Sequence, residues 1–333
     1  MRKTRRSLWL VLSLAVVLVL ALTGPALAGG EIKLALDCPP DPEKCGTYLW
    51  SKTFADHLEA QGLKVKLYPK DALGGEAEKL DQVSLGLLEI SNSDLAKAGS
   101  LDPTIFGFYL PFLFQDMEHM YRVLQKTDLL DKINAGLTKQ GVRVLSIIPL
   151  GTMVGIATSK KIIKTPADFK GIRMRALDKK QAKWLEIWGA NAVVIPWSEI
   201  YNALQTGIAD GYMNPAFVPI LFKHTEVLKF YSDIKLAPSL RVALVSEEWY
   251  QGLKDKERKI VDEGAAKANA ACREWTGRSD KASLEALKEA GLEVHINTPA
   301  EKAEFAKLIR PNYNSIVPKE VAEIFIKAAD EHR

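Results

Sequence analysis

Residues 170–215 read KGIRMRALDKKQAKWLEIWGANAVVIPWSEIYNALQTGIADGYMNP, and this stretch decides the fold class. Apolar and basic residues alternate over 172–175, which predicts a half-buried strand. The apolar residues of 184–188 have the spacing of a helix face, and Ser198 is a suitable N-cap for a second helix. With an apolar run between them and a short strand at 208–210, the order is strand, helix, strand, helix, strand. This order predicts an α/β fold with a parallel sheet whose carboxyl ends carry a site.

The first half of the chain repeats this order. Alternation over 31–37 and 63–68 predicts two strands, and a helix over 76–84 precedes a short strand at 87–90. We therefore expect two α/β lobes, each a mostly parallel sheet flanked by helices, with a cleft between them. The polar residues that follow a strand and face this cleft are Asn92, Ser93 and Asp94 in the first half and Tyr212 and Asn214 in the second.

The chain is expected to cross between the lobes more than once. Strands at 142–148 and 153–158 are joined by Pro149-Leu150-Gly151, which we take as the first crossing, and a strand at 240–245 predicts a return to the first sheet. Residues 247–289 are helical in pattern and form either a brace of long helices at the hinge or a plain solvated helix. The expected boundaries are lobe I at 29–151 with 240–280, and lobe II at 152–239 with 281–333.

Residues 1–28 have the pattern of a secretory signal peptide. A basic start is followed by an apolar core over 8–22 and by an A-x-A signal, so we expect cleavage near Ala28 and export. This segment contains four of the 45 basic residues and none of the 41 acidic residues, which leaves 41 of each. A balanced chain has no basic field for nucleic acid or an anionic membrane surface, so neither is expected as a partner.

Three cysteines are too few for a disulfide scaffold. Cys38 and Cys45 flank the short segment PPDPEK, and in an exported protein they form either a small disulfide-closed loop or two separate thiols. Cys272 lies in the helical run AAKANAACR and is expected to be a buried thiol.

The motifs of common catalytic sites are absent from the sequence. It contains no G-x-S-x-G, Walker A, H-E-x-x-H, EF-hand or G-x-G-x-x-G pattern, and its five histidines have no metal-ligand spacing. We therefore expect no cofactor, no metal and no enzymatic activity. A carboxylate beside an arginine can carry out acid–base chemistry, so an exported enzyme acting on a carboxylic acid stays an alternative.

Several ordered motifs carry a family resemblance that covers most of the mature chain. They are YPKDALGGEAEKLDQVSLG at 68–86, LPFLFQDMEHMYRVL at 110–124, TPADFKGIRMR at 165–175, VIPWSEIYNALQTG at 194–207 and DGYMNP at 210–215. Together they resemble the extracytoplasmic solute receptors of tripartite ATP-independent periplasmic (TRAP) transporters. The resemblance implies a periplasmic-binding-protein fold whose two lobes close around a small organic acid.

The resemblance also implies which residues bind the ligand. The arginine with which the family binds a carboxylate matches Arg175, whose planar guanidinium can donate two parallel hydrogen bonds. A surface ion pair is the alternative reading of this arginine. The family's asparagine matches Asn214, which is either a second donor or a turn former before Pro215. Trp197 is either an apolar wall beside the ligand or a core residue.

The first lobe offers mainly acidic candidates. Asp37 ends the first predicted strand and is expected as a ligand contact that accepts hydrogen bonds from a hydroxyl or amine. Many relatives carry a further arginine where this sequence has Val154. Its loss favours a ligand with one carboxylate and an apolar or modestly hydroxylated remainder. The other candidate contacts are Asp94, Glu76, Asn92, Ser93 and Met153.

By this resemblance, the expected function is that of a periplasmic receptor that hands an organic acid to membrane permease subunits. A protein of the same fold that reports its ligand to a signalling receptor is a second hypothesis, and the exported enzyme is the third. We expect a monomer and leave a dimer open. The sequence does not identify the acid.

Overall fold

The computed structural model describes residues 30–333, so the predicted signal peptide and its cleavage site lie outside the described residues. This part of the chain forms two β-sheets, one of five strands and one of six, each flanked by helices. The predicted two-lobed α/β architecture is therefore confirmed. None of the helices within 30–333 combines the length and apolar character that a membrane span requires.

The strands of the first sheet are β1 (Ile32–Ala35), β2 (Val65–Tyr68), β3 (Ile90–Asp94), β4 (Val142–Met153) and β10 (Pro238–Ser246). Those of the second sheet are β5 (Gly155–Thr158), β6 (Arg173–Ala176), β7 (Asn191–Val194), β8 (Gly211–Asn214), β9 (Phe230–Asp233) and β11 (Glu293–Ile296).

The α-helices of the first half are α1 (Gly46–Ala60), α2 (Glu76–Ser84), α3 (Leu95–Leu101), α4 (Met117–Lys126) and α5 (Leu129–Leu137). Those of the second half are α6 (Lys179–Ile187), α7 (Ile200–Gln205), α8 (Phe217–Leu221), α9 (Glu247–Gly252), α10 (Asp255–Glu289), α11 (Pro299–Ile309) and α12 (Lys319–Asp330).

Each sheet has a single reversed strand. In the order β2-β1-β3-β10-β4, only β10 runs antiparallel to its neighbours. In the order β11-β9-β5-β8-β6-β7, only β5 is reversed. Each reversed strand directly follows a crossing between the lobes. The chain continues straight through the crossing, and the strand therefore enters its sheet in the direction opposite to that of the other strands.

The two crossings lie side by side and form an antiparallel ribbon. Only Val154 separates β4 from β5, and its N–H and C=O pair with Ala237 O and Leu236 N, both at 2.8 Å. Pro149 lies within β4 opposite Leu240. The chain thus crosses at Val154 rather than at Pro149-Leu150-Gly151, because pairing with β10 keeps that segment extended. We refer to Val154 and residues 234–237 as the hinge ribbon.

Helix α10 contacts elements of both sheets. Its 35 residues extend over about 52 Å. It packs on α1 and β4 of the first lobe and on α8 and β11 of the second. Against α1 the packing is close because Gly264 replaces a side chain: a Cβ there would lie 2.7 Å from Leu58 Cδ1.

The C-terminal segment divides between the lobes. Helix α11 contacts α6 of the second lobe, whereas α12 packs on α4 and on the 3-10 turn Pro103–Tyr109 of the first. There Phe325 meets Phe108 edge to face, with ring centres 5.0 Å apart. The sequence boundaries had placed all of 281–333 with lobe II, and α12 lies instead against lobe I.

Candidate ligand-binding site

A cavity of about 380 Å³ lies between the two sheets. Its walls come from both lobes, and Val154 and Leu236 of the hinge ribbon also line it. A volume of this size is typical of sites for small molecules. A change in the angle between the lobes must therefore change the shape of the cavity.

Arg175 is the most buried charged group of the second-lobe wall, at 4% exposed. It stands near the carboxyl end of β6, between β7 and β8. Its Nε donates to Ile195 O at 2.9 Å, and this is the only side-chain hydrogen bond of Arg175 within residues 30–333. Burial lowers the pKa of Arg175 to about 10, although Asp178 and Tyr212 act to raise it. A buried guanidinium whose terminal nitrogens have no protein acceptor is suited to an anionic ligand.

Arg173, two residues earlier on the same strand, forms the kind of ion pair that was the alternative interpretation of Arg175. Its Nε and Nη2 donate to the two oxygens of Asp210 at 3.0 and 2.9 Å. Asp210 is almost fully buried, and Arg173 does not line the cavity. Of the two arginines, only Arg175 is available to a ligand.

Aromatic side chains form a wall beside Arg175. The Trp197 ring centre lies 5.8 Å from the Arg175 guanidinium carbon, within cation–π range. Trp197 is half-buried and meets Phe222 edge to face at 4.9 Å, and Phe222 also lines the cavity. Trp197 therefore packs against protein on one side, as a core residue does, and borders the cavity on the other, as an apolar wall would.

Asn214 ends β8 and lines the same part of the cavity. Its backbone is held by the sheet opposite Gly155, and its carbonyl accepts from the Tyr231 hydroxyl at 3.1 Å. Its side-chain amide has no hydrogen-bond partner within the described chain. The amide is thus free to donate into the cavity.

The first-lobe wall contains a second arginine, Arg241 of β10, compensated by two aspartates. Its Nε lies 3.0 Å from Asp37 Oδ2, and its Nη1 is paired with Asp94 Oδ2. Burial acts to lower the pKa of Arg241, but the charges of Asp94 and Asp37 hold it above its ordinary value. All three side chains line the cavity. We call them the Arg241 cluster.

Tyr109 completes this wall. Its hydroxyl donates to Asp94 Oδ1 at 2.7 Å, and the same oxygen accepts from Ala96 N. Burial acts to raise the pKa of Asp94, but the charge of Arg241 and these hydrogen bonds hold it below its ordinary value. Asp37 Oδ1 accepts from the Thr47 hydroxyl at 2.7 Å. The carboxylates proposed as ligand contacts are therefore already bound within the protein.

Four other predicted contacts do not line the cavity. Asn92 donates to Ser51 Oγ at 2.6 Å and is fully buried beneath α1. Glu76 accepts a hydrogen bond from the backbone N–H of Asp94 at 3.3 Å and so helps to position this member of the Arg241 cluster. Ser93 and Met153 are buried in the first sheet. The predicted contacts that line the cavity are Arg175, Asn214, Trp197, Asp37 and Asp94.

Several lining residues were missed from the sequence. Arg241 is the single charged residue of an otherwise apolar predicted strand. Such a charge is seldom buried without an oppositely charged partner, so its position indicates an ion pair. Trp184 was assigned to a helix face and lies there, yet that face also borders the cavity. Tyr109 carried no sequence signal. In the described residues, no cluster of histidine, cysteine and carboxylate side chains could hold a metal ion.

The structure contains a disulfide between Cys38 and Cys45, which are seven residues apart. Both half-cystines are nearly buried and line the cavity next to Asp37. Cys272 is a buried thiol, and burial raises its pKa to about 12. The disulfide-closed loop thus forms part of the first-lobe wall.

Replacing both half-cystines, Cys38→Ser with Cys45→Ser, should lower the free energy of unfolding by about 2 to 3 kcal/mol, because an eight-residue loop gains freedom in the unfolded chain. Ligand affinity should fall as well, since the loop lines the cavity. Denaturation with guanidinium chloride measures the first effect. A reducing agent should lower the stability of the wild type but not that of the double variant, and equal losses in both would contradict the assignment.

The model of bacterial extracellular solute-binding protein family 7, the DctP family, matches residues 39–320. The chain belongs to this family. Its members are the solute-binding proteins of TRAP transporters and not enzymes, which confirms the family and the absence of enzymatic activity expected from the motifs. The family also indicates a periplasmic protein.

Relatives with named ligands are similar over nearly their full length. The C4-dicarboxylate-binding periplasmic protein of Rhodobacter capsulatus is 29% identical over 335 residues, covering 98% of each chain. The 2,3-diketo-L-gulonate-binding periplasmic protein of Escherichia coli is 27% identical over 290 residues, covering 85% of this chain and 87% of the relative. The sugar acid binding protein of Advenella mimigardefordensis, solved with galactonate, has a TM-score of 0.80 at 25% identity, covering 92% and 100%.

Proposed function

We propose that this DctP-family protein is a periplasmic receptor that binds a small organic acid through its carboxylate and delivers it to the membrane permease of a TRAP system. The observation that carries the proposal is Arg175, a buried guanidinium in an interlobe cavity that has no carboxylate partner among residues 30–333. Relatives named for C4-dicarboxylate, 2,3-diketo-L-gulonate and galactonate binding support the ligand class.

The arrangement of the walls suggests how binding favours a closed form. Arg175, Asn214 and Trp197 belong to the second lobe, and the Arg241 cluster belongs to the first. A ligand that contacts both walls gains its full interaction energy only when the lobes are closed, so it shifts the population toward closure. The hinge ribbon is the segment that absorbs such a rotation. The closed lobes then form the surface offered to the permease.

Thermal unfolding of the mature chain, freed of co-purified ligand by unfolding and refolding, tests this proposal. An acid present at 100 times its Kd stabilises the folded state by about 2.7 kcal/mol, which raises the Tm by about 5 °C. The amide of the same acid should give no shift, because it cannot pair with the Arg175 guanidinium. Failure of every acid in a broad mono- and dicarboxylate library would contradict the proposal.

A further inference from the structure

We propose that the ligand is a monocarboxylate with a largely apolar body, and not a dicarboxylate or a polyhydroxylated acid. This inference rests on the proposed function, in which Arg175 binds the carboxylate. To that function it adds which chemical groups of the ligand, beyond the carboxylate, the rest of the cavity can accommodate. Three features of the walls support it: their charge, their apolar lining and their volume.

The charge of the cavity provides for one ligand carboxylate. Of the two lining arginines in residues 30–333, Arg175 has no carboxylate partner, whereas Arg241 is held by Asp37 and Asp94. The Arg241 cluster thus has one carboxylate in excess of its cation. A second ligand carboxylate placed against this wall would be repelled, and like charges in a closed site act at low dielectric.

Lysines at the rim do not replace a second buried cation. Lys44, Lys70 and Lys180 line the mouth of the cavity and are exposed. Lys44 is paired with Asp41 at 3.4 Å, and Lys180 lies over the Phe106 ring at 3.8 Å. Exposed lysine pairs contribute little because water screens them.

The walls between the two arginines are mainly apolar. Trp197, Phe217 and Phe222 line the second-lobe side, and Val154 and Leu236 line the hinge. Side-chain hydrogen-bonding groups left free beside Arg175 include the Asn214 amide. A polyhydroxylated acid would lose more hydrogen bonds to water against this surface than the few polar lining side chains, Asn214, Ser239 and Gln181, can replace, and each buried polar group left unpaired weakens binding. An apolar body instead gains from leaving water.

The volume limits the size of that body. A cavity of about 380 Å³ has room for roughly a dozen non-hydrogen atoms, at about 30 Å³ for a water-sized group. An aryl-substituted or branched short-chain acid fits this limit. 3-Phenylpropionate therefore serves as a probe of the inferred class.

Calorimetric titration of the ligand-free mature chain separates the classes. We expect 3-phenylpropionate to bind about tenfold more tightly than its second-carboxylate analogue 3-(4-carboxyphenyl)propionate and than D-glucuronate, since a buried charged or polar group without a partner weakens binding by about this factor. Equal or tighter binding of the diacid or of glucuronate would overturn this inference while supporting the proposed function. Failure of all acids to bind would overturn the proposed function itself.

The variant Asp94→Asn tests the charge argument directly. It removes one of the two carboxylates that pair with Arg241 and keeps a side chain of the same shape. The preference for the monoacid over the diacid should then fall by about tenfold, because a second ligand carboxylate no longer meets excess negative charge. Asp128→Asn is the matched control: it removes the same charge at an exposed residue that does not line the cavity. A preference that is unchanged in Asp94→Asn, or that falls equally in the control, would overturn the argument.

Discussion

Replacing Arg175 with alanine should lower the affinity for the acid by about 2 to 5 kcal/mol, or from about 30-fold to several thousand-fold. The guanidinium is buried and bidentate pairing with a carboxylate is strengthened when water is excluded. The ligand-free protein should keep its Tm within about 2 °C, because removing an uncompensated buried charge offsets the lost bond to Ile195 O. Calorimetric titration and thermal unfolding measure the two effects.

Arg173 gives the matched control on the same strand. Arg173→Ala should destabilise the protein, because it leaves the buried Asp210 without its partner, yet it should leave ligand affinity unchanged at 25 °C. Arg175→Lys should recover only part of the affinity, since an ammonium cannot donate in the planar, two-point geometry. Unchanged affinity in Arg175→Ala, or an equal loss in Arg173→Ala, would refute the assignment of the carboxylate site.

Replacing Arg241 with methionine should lower the free energy of unfolding by about 3 to 5 kcal/mol, the largest stability effect that we expect. The substitution fills a similar volume but leaves Asp37 and Asp94 without a cation in a wall where Arg241 is 21% exposed. In an Asp37→Asn/Asp94→Asn background, the same substitution should cost much less, because no buried carboxylate is left unpaired. Equal costs in both backgrounds would show that the cluster does not act as a charge pair.

The effect of Arg241→Met should also depend on pH. In the wild type, the lowered pKa of Asp94 contributes stability that is present above about pH 4 and is lost as the pH falls through that pKa. Without Arg241, burial dominates and raises the pKa of Asp94, so the variant is penalised most near neutral pH. The difference in unfolding free energy between the two proteins should therefore shrink from pH 7 to pH 4.

Periodicity predicted the order of the elements well because most strands and helices have one covered face. It failed at Ile90–Asp94 and Gly211–Asn214, which were expected to be polar loops after shorter strands. In the first of these, Asn92 is buried by its hydrogen bonds to Ser51 and Thr47, 41 and 45 residues away. A polar strand whose side chains find hydrogen-bond partners far away in the sequence has no local signature. What allows such a strand to be buried is its tertiary contacts, which a short window of sequence does not contain.

The second-lobe part of the candidate site was within reach of the sequence, because Arg175, Trp197 and Asn214 lie within one continuous βαβαβ segment. The first-lobe wall was not. Arg241 is 147 residues from Asp94, and it is their pairing that turns two apparent ligand contacts into members of an ion-paired cluster. Charge compensation of this kind depends on which strands are neighbours, and the sequence alone placed β10 only in the first lobe.

Strand β10 lies between β3 and β4, although both of those strands precede it by many residues in the chain. During synthesis, a nascent chain that has not yet reached Ser246 therefore has two open strand edges in its first lobe. Completion of that lobe waits for a long-range pairing, which is slow to form. The order of the strands thus leaves the first-lobe sheet incomplete until nearly three quarters of the polypeptide has emerged, so we expect this lobe to fold late in synthesis.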